Sequence, residues 1–555
     1  MQHQTVELSG FAHAPAVQVN SPFIKDNNND DSRITEHVQY KPVVQLQPDG
    51  TLNVTVAPAS KHLIKTDTRA PKRLGLMLVG WGGNNGSTLT ASLLAHQHQL
   101  TWETRRGVQA PTHLGSLILA SCAHVGVDEQ GKDVHVPLFQ LAPFARPEDV
   151  VVGGWDISGM CLGDALDRSQ VLEPTLKQQL KPLMSQMKPL PSYYDPSFIA
   201  SNQRDRADNI LKEGNKQAVL DRLVQDIREF KRGVDKVVIL WTANTERYTV
   251  LEENVHYRGK DFMEAIRRNH SEISPSSLFA TAAILEGCLF INGSPQNTLI
   301  PAVVDLAAQR NVPVAGDDFK SGQTKLKSVL VDFLVSSGIR PLSIVSYNHL
   351  GNNDGKNLAE AAQFRSKEIS KSSVCDDIYA TNPLIMTQTT SPQTSPNSVA
   401  DSVERNVEVD HRKVDHQKVD HRKVDHRIVI EYVPSVGDSK RAMDEYECEI
   451  FMGGRQTFSM HNVCEDSLLA APLMLDLVLL GELLTRVQLS KDDGREWSGM
   501  GPCLSLLSFM LKAPMVPEGA PVVNALAKQR RAIEGLLKAI AGLPLIDDLD
   551  LQSRF

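Results

Sequence analysis

Two lysines four residues apart, Lys367 and Lys371, are the side chains of this sequence best suited to chemistry on an anionic substrate. The spacing places both amines on one face of a helical turn. They follow a loop, residues 346–355, whose polar candidates are Asn348, Asn352, Asn353 and Asp354. Ammonium and amide groups gathered in this way neutralise charge that develops on oxygen, which suits a phosphorylated polyol.

Three more charged candidates lie further along the chain, namely Lys440, Asp466 and Lys512. Taken singly, each lysine of the set is most often a solvated residue, and an Asn-Asn-Asp-Gly sequence is a common turn. Lys512 differs because it interrupts the apolar run 504–511, where an exposed amine is unexpected. Spacing alone therefore predicts a polar site without assigning a role to any one lysine.

Segment 316–325 (Gly-Asp-Asp-Phe-Lys-Ser-Gly-Gln-Thr-Lys) predicts an anion-binding helix start. Ser321 can cap a helix predicted over 323–335, which leaves unpaired backbone amides at its first turn. These amides belong to Gly322, Gln323 and Thr324. A plain capped helix is an equally weighted alternative, although the acidic pair Asp317 and Asp318 is hard to explain by capping alone.

A glycine-rich turn, residues 80–86 (Gly-Trp-Gly-Gly-Asn-Asn-Gly), separates an apolar strand at 74–79 from a helix at 87–95. Glycines let the backbone turn sharply and approach a pyrophosphate, and the amides of Asn85, Gly86 and Ser87 would favour an anion at the helix start. The spacing departs by one residue from G-x-G-x-x-G, so a purely structural turn is the alternative.

Two later strand ends supply candidate contacts for a dinucleotide. Asp156 follows a second glycine turn and is the expected acceptor for ribose hydroxyls, and the loop 241–245 follows another apolar strand. The predicted cofactor-binding residues are Gly80, Gly82, Gly83, Asn84, Asn85, Gly86, Asp156, Thr242 and Ala243.

The elements that must position these residues follow an α/β pattern. Apolar strands at 74–79, 235–241, 288–292 and 312–316 alternate with helical patterns such as 297–309. This alternation predicts a Rossmann-like, doubly wound parallel sheet with ligands at the strand ends.

Composition bounds the class of protein. The 555 residues are 41% hydrophobic and 22% charged, with a net charge of −8, which argues weakly against nucleic-acid and anionic-membrane partners. Seven scattered cysteines without a C-x-x-C favour a reducing compartment and no zinc site. The apolar stretch 468–484 carries two acidic residues and is interpreted as a buried helix of a soluble, cytoplasmic protein.

The composition changes sharply at 387–426, where a Ser/Thr/Pro-rich linker precedes four copies of Val-Asp-His starting at 409, 414, 419 and 424. A five-residue period matches neither helix nor strand, so residues 387–421 are expected to form a low-complexity insertion that bulges into solvent. Adventitious metal binding by its histidines is the alternative. The last copy leads into a predicted strand at 427–432.

Seven segments resemble the inositol-3-phosphate synthase family, also called the myo-inositol-1-phosphate synthases. They are 75–86, 321–330, 346–355, 364–373, 437–446, 464–470 and 511–514. The resemblance covers the chain apart from the insertion and points to the eukaryotic type. It implies a cytoplasmic homotetramer that converts D-glucose 6-phosphate to 1D-myo-inositol 3-phosphate with tightly held NAD and no net redox change, in the first committed step of inositol biosynthesis.

The resemblance also implies site residues and roles. Carried over by position, the catalytic residues are Asp318, Asp354, Lys367, Lys371, Lys440, Asp466 and Lys512. We expect Lys367 to take and return the proton on O5, Lys512 to stabilise charge on O5 and O1, and Lys440 to assist at O1. The phosphate would be held by Lys371 with Ser321, Gly322 and Gln323, and the asparagines Asn348, Asn352 and Asn353 would contact substrate. Because clustered ammonium groups depress one another's pKa, at least one lysine is expected to act as a base near neutral pH.

The implied architecture is an α/β protein with an inserted α+β catalytic and tetramerisation domain. We expect an N-terminal arm at 1–69, a first NAD-binding segment at 70–325, the catalytic domain at 326–466, and a segment at 467–555 that completes the NAD-binding domain. Two other readings predict different outcomes: a non-catalytic NAD-binding protein, against which the intact lysines and aspartates argue, and a sugar-phosphate dehydrogenase that accumulates NADH.

Overall fold

The computed structural model of the chain describes residues 17–25, 31–39, 42–56, 60–386, 424–491 and 494–545. The predicted insertion at 387–421 lies outside the described residues. The strands are β1 Ile24–Lys25, β2 Ser32–Gln39, β3 Pro42–Leu46, β4 Leu52–Val56, β5 Ser60–Asp67, β6 Leu74–Val79, β7 Trp102–Thr104, β8 Gly107–Gln109, β9 Cys122–Val127, β10 Asp133–Pro137, β11 Val150–Asp156, β12 Leu190–Pro191, β13 Lys236–Trp241, β14 Leu289–Asn292, β15 Val314–Ala315, β16 Arg340–Leu350, β17 Asp425–Tyr432, β18 Ser439–Glu449, β19 Arg455–Glu465, β20 Val487–Lys491 and β21 Ser498–Gly499. The α-helices are α1 Asn84–Gln97, α2 Leu117–Ala120, α3 Leu162–Arg168, α4 Pro174–Met184, α5 Lys216–Lys231, α6 Gly259–Arg267, α7 Pro275–Leu285, α8 Pro301–Arg310, α9 Gly322–Ser336, α10 Asn353–Leu358, α11 Ala361–Ser372, α12 Asp376–Tyr379, α13 Pro383–Met386, α14 Asp466–Leu484 and α15 Leu526–Ala541.

A six-stranded parallel sheet in the order β12-β11-β6-β13-β14-β15 confirms the predicted doubly wound architecture. Counted by their appearance in this sheet, the strands lie in the order 3-2-1-4-5-6 of a dinucleotide-binding fold. From β6 the chain adds strands first on one side of the sheet and then, from β13 onward, on the other. A ligand crevice is therefore expected at this switch point, where β6 and β13 end.

Alternating side chains of the central strand separate two cores. Leu76 and Leu78 of β6 pack with α1 and α14 on one face of the sheet, whereas Met77 and Val79 pack with α5 and α7 on the other. Because both faces are covered, β6 is buried along its whole length, as its unbroken apolar sequence requires.

The apolar stretch predicted to be a buried helix is α14. It is long and apolar enough to cross a membrane by those two criteria, but 83% of its most apolar 18-residue window is buried inside the protein. Its carboxylates are also paired: Asp476 accepts hydrogen bonds from the start of α2, and Glu482 binds Arg486. In this structure α14 is a core helix.

A second, antiparallel sheet has the order β1-β2-β5-β20-β21 and joins the N-terminal region to the segment after α14. The long strand β5 of the N-terminal region pairs with β20, which follows α14. The sequence predicted only an arm or a few edge strands for residues 1–69, because the partner strand lies more than 400 positions away.

The third sheet has the order β17-β16-β18-β19 and carries two of the predicted site residues, Asn348 on β16 and Lys440 on β18. Strands β16 and β17 are parallel and the other neighbours are antiparallel, with α9, α10 and α11 packed against it. The predicted strand at 427–432 is the greater part of β17, and the lysine pair at 367 and 371 lies on α11, as predicted.

Candidate active site

The crevice at the ends of β6 and β13 continues into a cleft bounded by α11, the third sheet and the start of α14. It is lined by most of the predicted residues: Gly80, Gly83, Asn84, Asn85, Asp156, Thr242, Ala243, Asp318, Ser321, Asn352, Asn353, Asp354, Lys367, Lys371, Lys440, Asp466 and Lys512. Residues separated by more than 400 positions thus meet at one place.

The glycine-rich turn fits the phosphates of a dinucleotide. Gly80 adopts φ +94°, and a Cβ there would lie 2.6 Å from the Cα of Ala243, so only glycine is accommodated. Helix α1 begins at Asn84, and its first amides have no acceptor within the helix. The amide of Ser87, expected to face the ligand, instead bonds the carbonyl of Gly83 at 2.9 Å. The amides that the start of α1 leaves for an anion are therefore those of Asn84, Asn85 and Gly86, one residue earlier than predicted.

Asp156 ends β11 beside this turn, where a ribose acceptor was predicted. A Cβ at Gly82 would lie 3.2 Å from its Oδ2, which shows how closely the turn approaches the carboxylate. Burial raises the pKa of Asp156, while Arg206, whose guanidinium is 3.8 Å away, opposes the increase.

Polar contacts bind the glycine turn to the other half of the cleft. The side-chain amide of Asn84 donates from Nδ2 to Oδ1 of Asp438 at 2.6 Å, and Asp438 belongs to the loop that precedes Lys440. The hydroxyl of Ser467 donates to Oδ1 of Asn85 at 2.9 Å. A ligand on the turn is therefore positioned relative to Lys440 and α14.

Asp318 holds two lysines at the centre of the cleft. Its Oδ1 accepts from Nζ of Lys367 at 2.9 Å, and its Oδ2 lies 3.2 Å from Nζ of Lys512. The hydroxyl of Ser370 donates to the same Oδ2 at 2.6 Å. Because of these two amines the pKa of Asp318 falls to about 2, although burial alone would raise it.

A short backbone ladder fixes Lys512 beside this carboxylate. The amide of Lys512 donates to the carbonyl of Asp318 at 2.8 Å, and the amide of Asp317 donates to the carbonyl of Ala513 at 2.7 Å. Asp318 adopts φ +61°, a left-handed conformation that costs about 1–3 kcal/mol and is common at functional sites. This ladder explains why an amine interrupts the apolar run 504–511.

Lys440 and Lys371 occupy different surroundings. Nζ of Lys440 is paired with Asp466 at 3.0 Å, and Asp466 is the first residue of α14. Nζ of Lys371 instead contacts two neutral oxygens, Oδ1 of Asn348 at 2.9 Å and Oε1 of Gln323 at 3.4 Å. A buried ammonium held only by neutral groups is suited to receive an anion.

Known proteins resemble the chain over nearly its full length. The family model described as NAD_binding_5, myo-inositol-1-phosphate synthase, matches residues 74–538. The chain belongs to the myo-inositol-1-phosphate synthase family. It is 50% identical to inositol-3-phosphate synthase of Drosophila melanogaster over 98% of this chain and 89% of that protein. It is 49% identical to isozyme 2 of Arabidopsis thaliana over 95% of this chain and 97% of that protein.

A solved structure agrees with this assignment. The crystal structure of inositol-3-phosphate synthase from Caenorhabditis elegans superposes with a TM-score of 0.88 at 44% identity, covering 98% of this chain and 99% of that chain. These findings confirm the predictions of the α/β fold, of NAD as cofactor and of inositol-3-phosphate synthase activity, an isomerase activity.

Three amines of this synthase, Lys367, Lys371 and Lys512, differ in the direction in which the site shifts their pKa. Burial lowers the pKa of Lys512 to about 7, with Asp318 opposing and Lys367 reinforcing the decrease. Burial and the nearby Lys440 hold the pKa of Lys371 well below its ordinary value. Burial would also lower the pKa of Lys367, but Asp318 and Asp354 outweigh it and raise that pKa. Of the two amines paired with Asp318, Lys367 therefore has a raised pKa and Lys512 a lowered one.

Several predicted contacts of the synthase site lie behind the cleft wall. Gln323 and Asn348 are buried and reach Lys371, so they support the amine from behind. Ser321 occupies the capping position of α9, but among the described residues its side chain accepts no capping hydrogen bond. Its hydroxyl stays available to the cleft. Gly82, Gly86 and Gly322 shape the two helix starts without lining the cleft.

Sequence reasoning missed some residues of the cleft wall. They include Arg168, Ser192, Tyr193, Arg206, Ser294 and Ser467. Ser294 lies two residues after the end of β14, so the strand-end rule that selected Thr242 and Ala243 would also have found it. Arg206 ends a short 3-10 helix, Ser201–Arg206, after β12, where no local pattern indicates a ligand contact.

Proposed function

We propose that the chain isomerises D-glucose 6-phosphate to 1D-myo-inositol 3-phosphate at this cleft, with the roles of Lys367 and Lys512 exchanged relative to the expectation from resemblance. The observation that supports this most directly is the pair of amines on Asp318: the pKa of Lys367 is raised by Asp318 and Asp354, whereas burial lowers the pKa of Lys512 to about 7. Two amines with separated pKa values suit a reaction that needs a cation and a base side by side.

NAD would be held by the glycine turn and start of α1, by Asp156 at the ribose, and by Thr242 and Ala243 at the end of β13. A bound NAD would supply reversible hydride chemistry at C5 of the sugar, with no net change in its redox state, so the overall reaction is an isomerisation. The chain itself must therefore move protons and neutralise charge on the sugar oxygens.

In our proposal Lys512 removes the proton of the C5 hydroxyl and returns it at the end. Lys367 remains an ammonium and stabilises negative charge on O5, while Asp318 and Asp354 hold it in place. The C5 ketone acidifies C6, which loses a proton; the resulting enolate carbon attacks C1, and O1 takes up a proton, so the proton lost at C6 is balanced at O1. Lys440, paired with Asp466, neutralises the charge that develops on O1 as the C1–C6 bond forms. Each cation is fixed by a carboxylate, so little reorganisation accompanies the change in charge.

The phosphate end of the substrate would lie against Lys371 and the start of α9. The first amides of this 15-residue helix, beginning at Gly322, have no acceptor within the helix. Ser321 and Thr324 add hydroxyls at the same wall. The two asparagines Asn352 and Asn353 are proposed to contact sugar hydroxyls, since both line the cleft although each already makes one hydrogen bond.

We also propose that the enzyme is a cytoplasmic homotetramer without nucleic-acid or membrane partners. The outer face of the third sheet exposes Tyr347, Met443 and Val463, and the turn between β18 and β19 exposes Phe451 and Met452 at 89% and 87%. An apolar surface of this kind favours association. The net charge of −8 weakly disfavours the polyanionic partners.

The domain division proposed from the sequence has related support. The segment after 467 packs against the parallel sheet through α14, and β20 pairs with β5 of the N-terminal region. We therefore propose that residues 467–555 complete the NAD-binding domain, and that 326–466 form the catalytic and tetramerisation domain.

The test is to incubate the purified protein with glucose 6-phosphate and catalytic amounts of NAD. The proposal predicts inositol phosphate without net formation of NADH. Stoichiometric NADH without cyclised product would identify a sugar-phosphate dehydrogenase. Binding of NAD without any turnover would identify a non-catalytic relative.

A further inference from the structure

A buried polar network lies behind Lys371, on the side away from the cleft. Its centre is Asp444, which is fully buried on the inner face of β18. Oδ1 of Asp444 accepts from Nε2 of Gln323 at 2.7 Å, and Oδ2 accepts from the hydroxyl of Tyr446 at 2.8 Å. The proposed mechanism assigns no role to this carboxylate.

The network determines which end of the Gln323 amide faces the cleft. A carboxylate whose two oxygens both accept can bond only the NH₂ end of that amide. The carbonyl end of Gln323 is therefore turned towards Nζ of Lys371, which it receives at 3.4 Å. Asn348 supplies a second acceptor to the same amine at 2.9 Å. An anionic ligand favours the protonated form of this amine, which has three protons, so with two of them bonded the third is left for the ligand.

A second buried lysine explains why the network needs a carboxylate. Lys327 is 2% exposed and contacts the hydroxyl of Ser346 at 2.6 Å and Nε2 of His426 at 2.7 Å. Burial lowers the pKa of Lys327, and Asp444 opposes the decrease. His426, whose pKa burial lowers to about 3, is neutral and accepts from Lys327. Asp444 is thus a counter-charge for Lys327.

We infer that Asp444 is a positioning residue for the phosphate end of the substrate, acting through the orientation of Gln323 on Lys371. The inference rests on the proposed function, because it assumes that Lys371 receives the phosphate. Asp444 lies too far behind the wall to touch a ligand, so its loss is expected to change affinity for the phosphate rather than the chemical step.

The experiment compares Asp444→Asn, Gln323→Met and the double variant with the wild-type protein. An asparagine keeps the shape of Asp444 but has one acceptor oxygen, so the amide of Gln323 is no longer held in one orientation. We expect KM for glucose 6-phosphate to rise about tenfold in each single variant, as for the loss of a charge-assisted hydrogen bond. The inhibition constant of inorganic phosphate should rise by the same factor, with kcat within twofold and the Kd for NAD unchanged.

The double variant separates positioning from a structural effect. If Asp444 acts through Gln323, the double variant is no worse than either single variant, whereas independent effects multiply. Multiplied losses, an unchanged inhibition constant for phosphate, or a parallel loss of NAD affinity would overturn the inference.

Tyr446→Phe keeps the test decisive if Asp444→Asn fails to fold. It removes one hydrogen bond from the same carboxylate, so we expect KM for glucose 6-phosphate to rise about threefold. In a Gln323→Met background the same substitution should leave KM unchanged. A rise that persists in that background would contradict the inference. Failure of the proposed function is distinguishable, because wild-type protein would then form no inositol phosphate at all.

Discussion

At the scale of single residues, the base assignment gives a direct prediction for Lys512. Its pKa of about 7 means that the amine is neutral above this pH and protonated below it, so kcat/KM should fall as the pH drops through 7. Lys512→Met should reduce kcat by about 10²–10⁴-fold, the usual contribution of a general base. The measurement is inositol phosphate formation across pH 5.5 to 9 (roughly two units either side of that pKa).

Lys512→Arg is the matched control for that prediction. A guanidinium keeps the positive charge but is not deprotonated in proteins, so the variant should be as inactive as Lys512→Met while NAD binding persists. Substantial turnover by the arginine variant would show that charge, and not proton transfer, is what position 512 supplies.

Ser370 allows the same assignment to be tested without touching a lysine. Its hydroxyl shares Oδ2 of Asp318 with Lys512. In Ser370→Ala that oxygen is left to Lys512, which stabilises the protonated amine and raises its pKa. The acid limb of the kcat/KM profile should therefore move about 0.5–1 unit to higher pH, since a hydrogen bond is worth about 1 kcal/mol. A shift to lower pH, or none, would contradict the shared-oxygen argument.

Residue types were predictable where a resemblance or a local pattern carried them, and their protonation states were not. Lys367 and Lys512 are both lysines beside one aspartate, yet burial lowers the pKa of one and a second carboxylate raises that of the other. The difference arises from distances between positions 318, 354, 367 and 512. No local spacing in the sequence contains those distances. Asp444 does have a local signal, because it is a carboxylate in a run of alternating buried residues on β18.

At the scale of elements, the boundaries that matched were those enforced by burial on both faces. Strand β6 spans 74–79 as predicted because every residue in it must be apolar. The antiparallel sheet that joins β5 to β20 could not be foreseen, since pairing across the chain depends on α14 placing β20 next to β5. Helix α9 begins at Gly322 without a side-chain cap from Ser321. The helix was therefore predicted at the right place, but the capping hydrogen bond expected from Ser321 does not form.

The junction between α14 and the antiparallel sheet gives an element-scale prediction. Glu482 is fully buried and receives two hydrogen bonds from Arg486, at 2.8 Å each. The same guanidinium donates to the carbonyls of Asp67 and Pro143. Arg486→Met would leave a buried carboxylate with only Lys236 as partner, and should lower the free energy of unfolding by about 3–5 kcal/mol. Urea unfolding measures this loss.

The matched control replaces both members of the pair. In Glu482→Met/Arg486→Met position 482 no longer carries a buried carboxylate, so the double variant should be more stable than Arg486→Met alone. Equal or greater loss in the double variant would show that the guanidinium bonds to Asp67 and Pro143, and not the ion pair, dominate this junction.

At the scale of the whole molecule, the third sheet (β17-β16-β18-β19) carries part of the cleft on its inner face and the proposed subunit contact on its outer face. Lys440 and Met443 lie on the same strand, β18, with Lys440 facing the cleft and Met443 45% exposed on the opposite side. Association of subunits would therefore stabilise the strand that holds Lys440 against Asp466. A loss of assembly is expected to reduce turnover even though no residue of the cleft has changed.

Met443→Glu tests this connection between assembly and activity. A buried, unpaired carboxylate at a subunit interface costs several kcal/mol, so the particle mass in light scattering should fall below four times the 61.2 kDa of one chain. Turnover should fall with it, with kcat reduced more than NAD affinity because the glycine turn lies on another sheet. Leu114→Glu is the control, because it introduces the same charge at a leucine that is 76% exposed and lies outside the third sheet. This variant should keep the wild-type mass and turnover. A tetramer that persists in Met443→Glu would remove the outer face of this sheet from the subunit contact, since that face could not then be buried between chains.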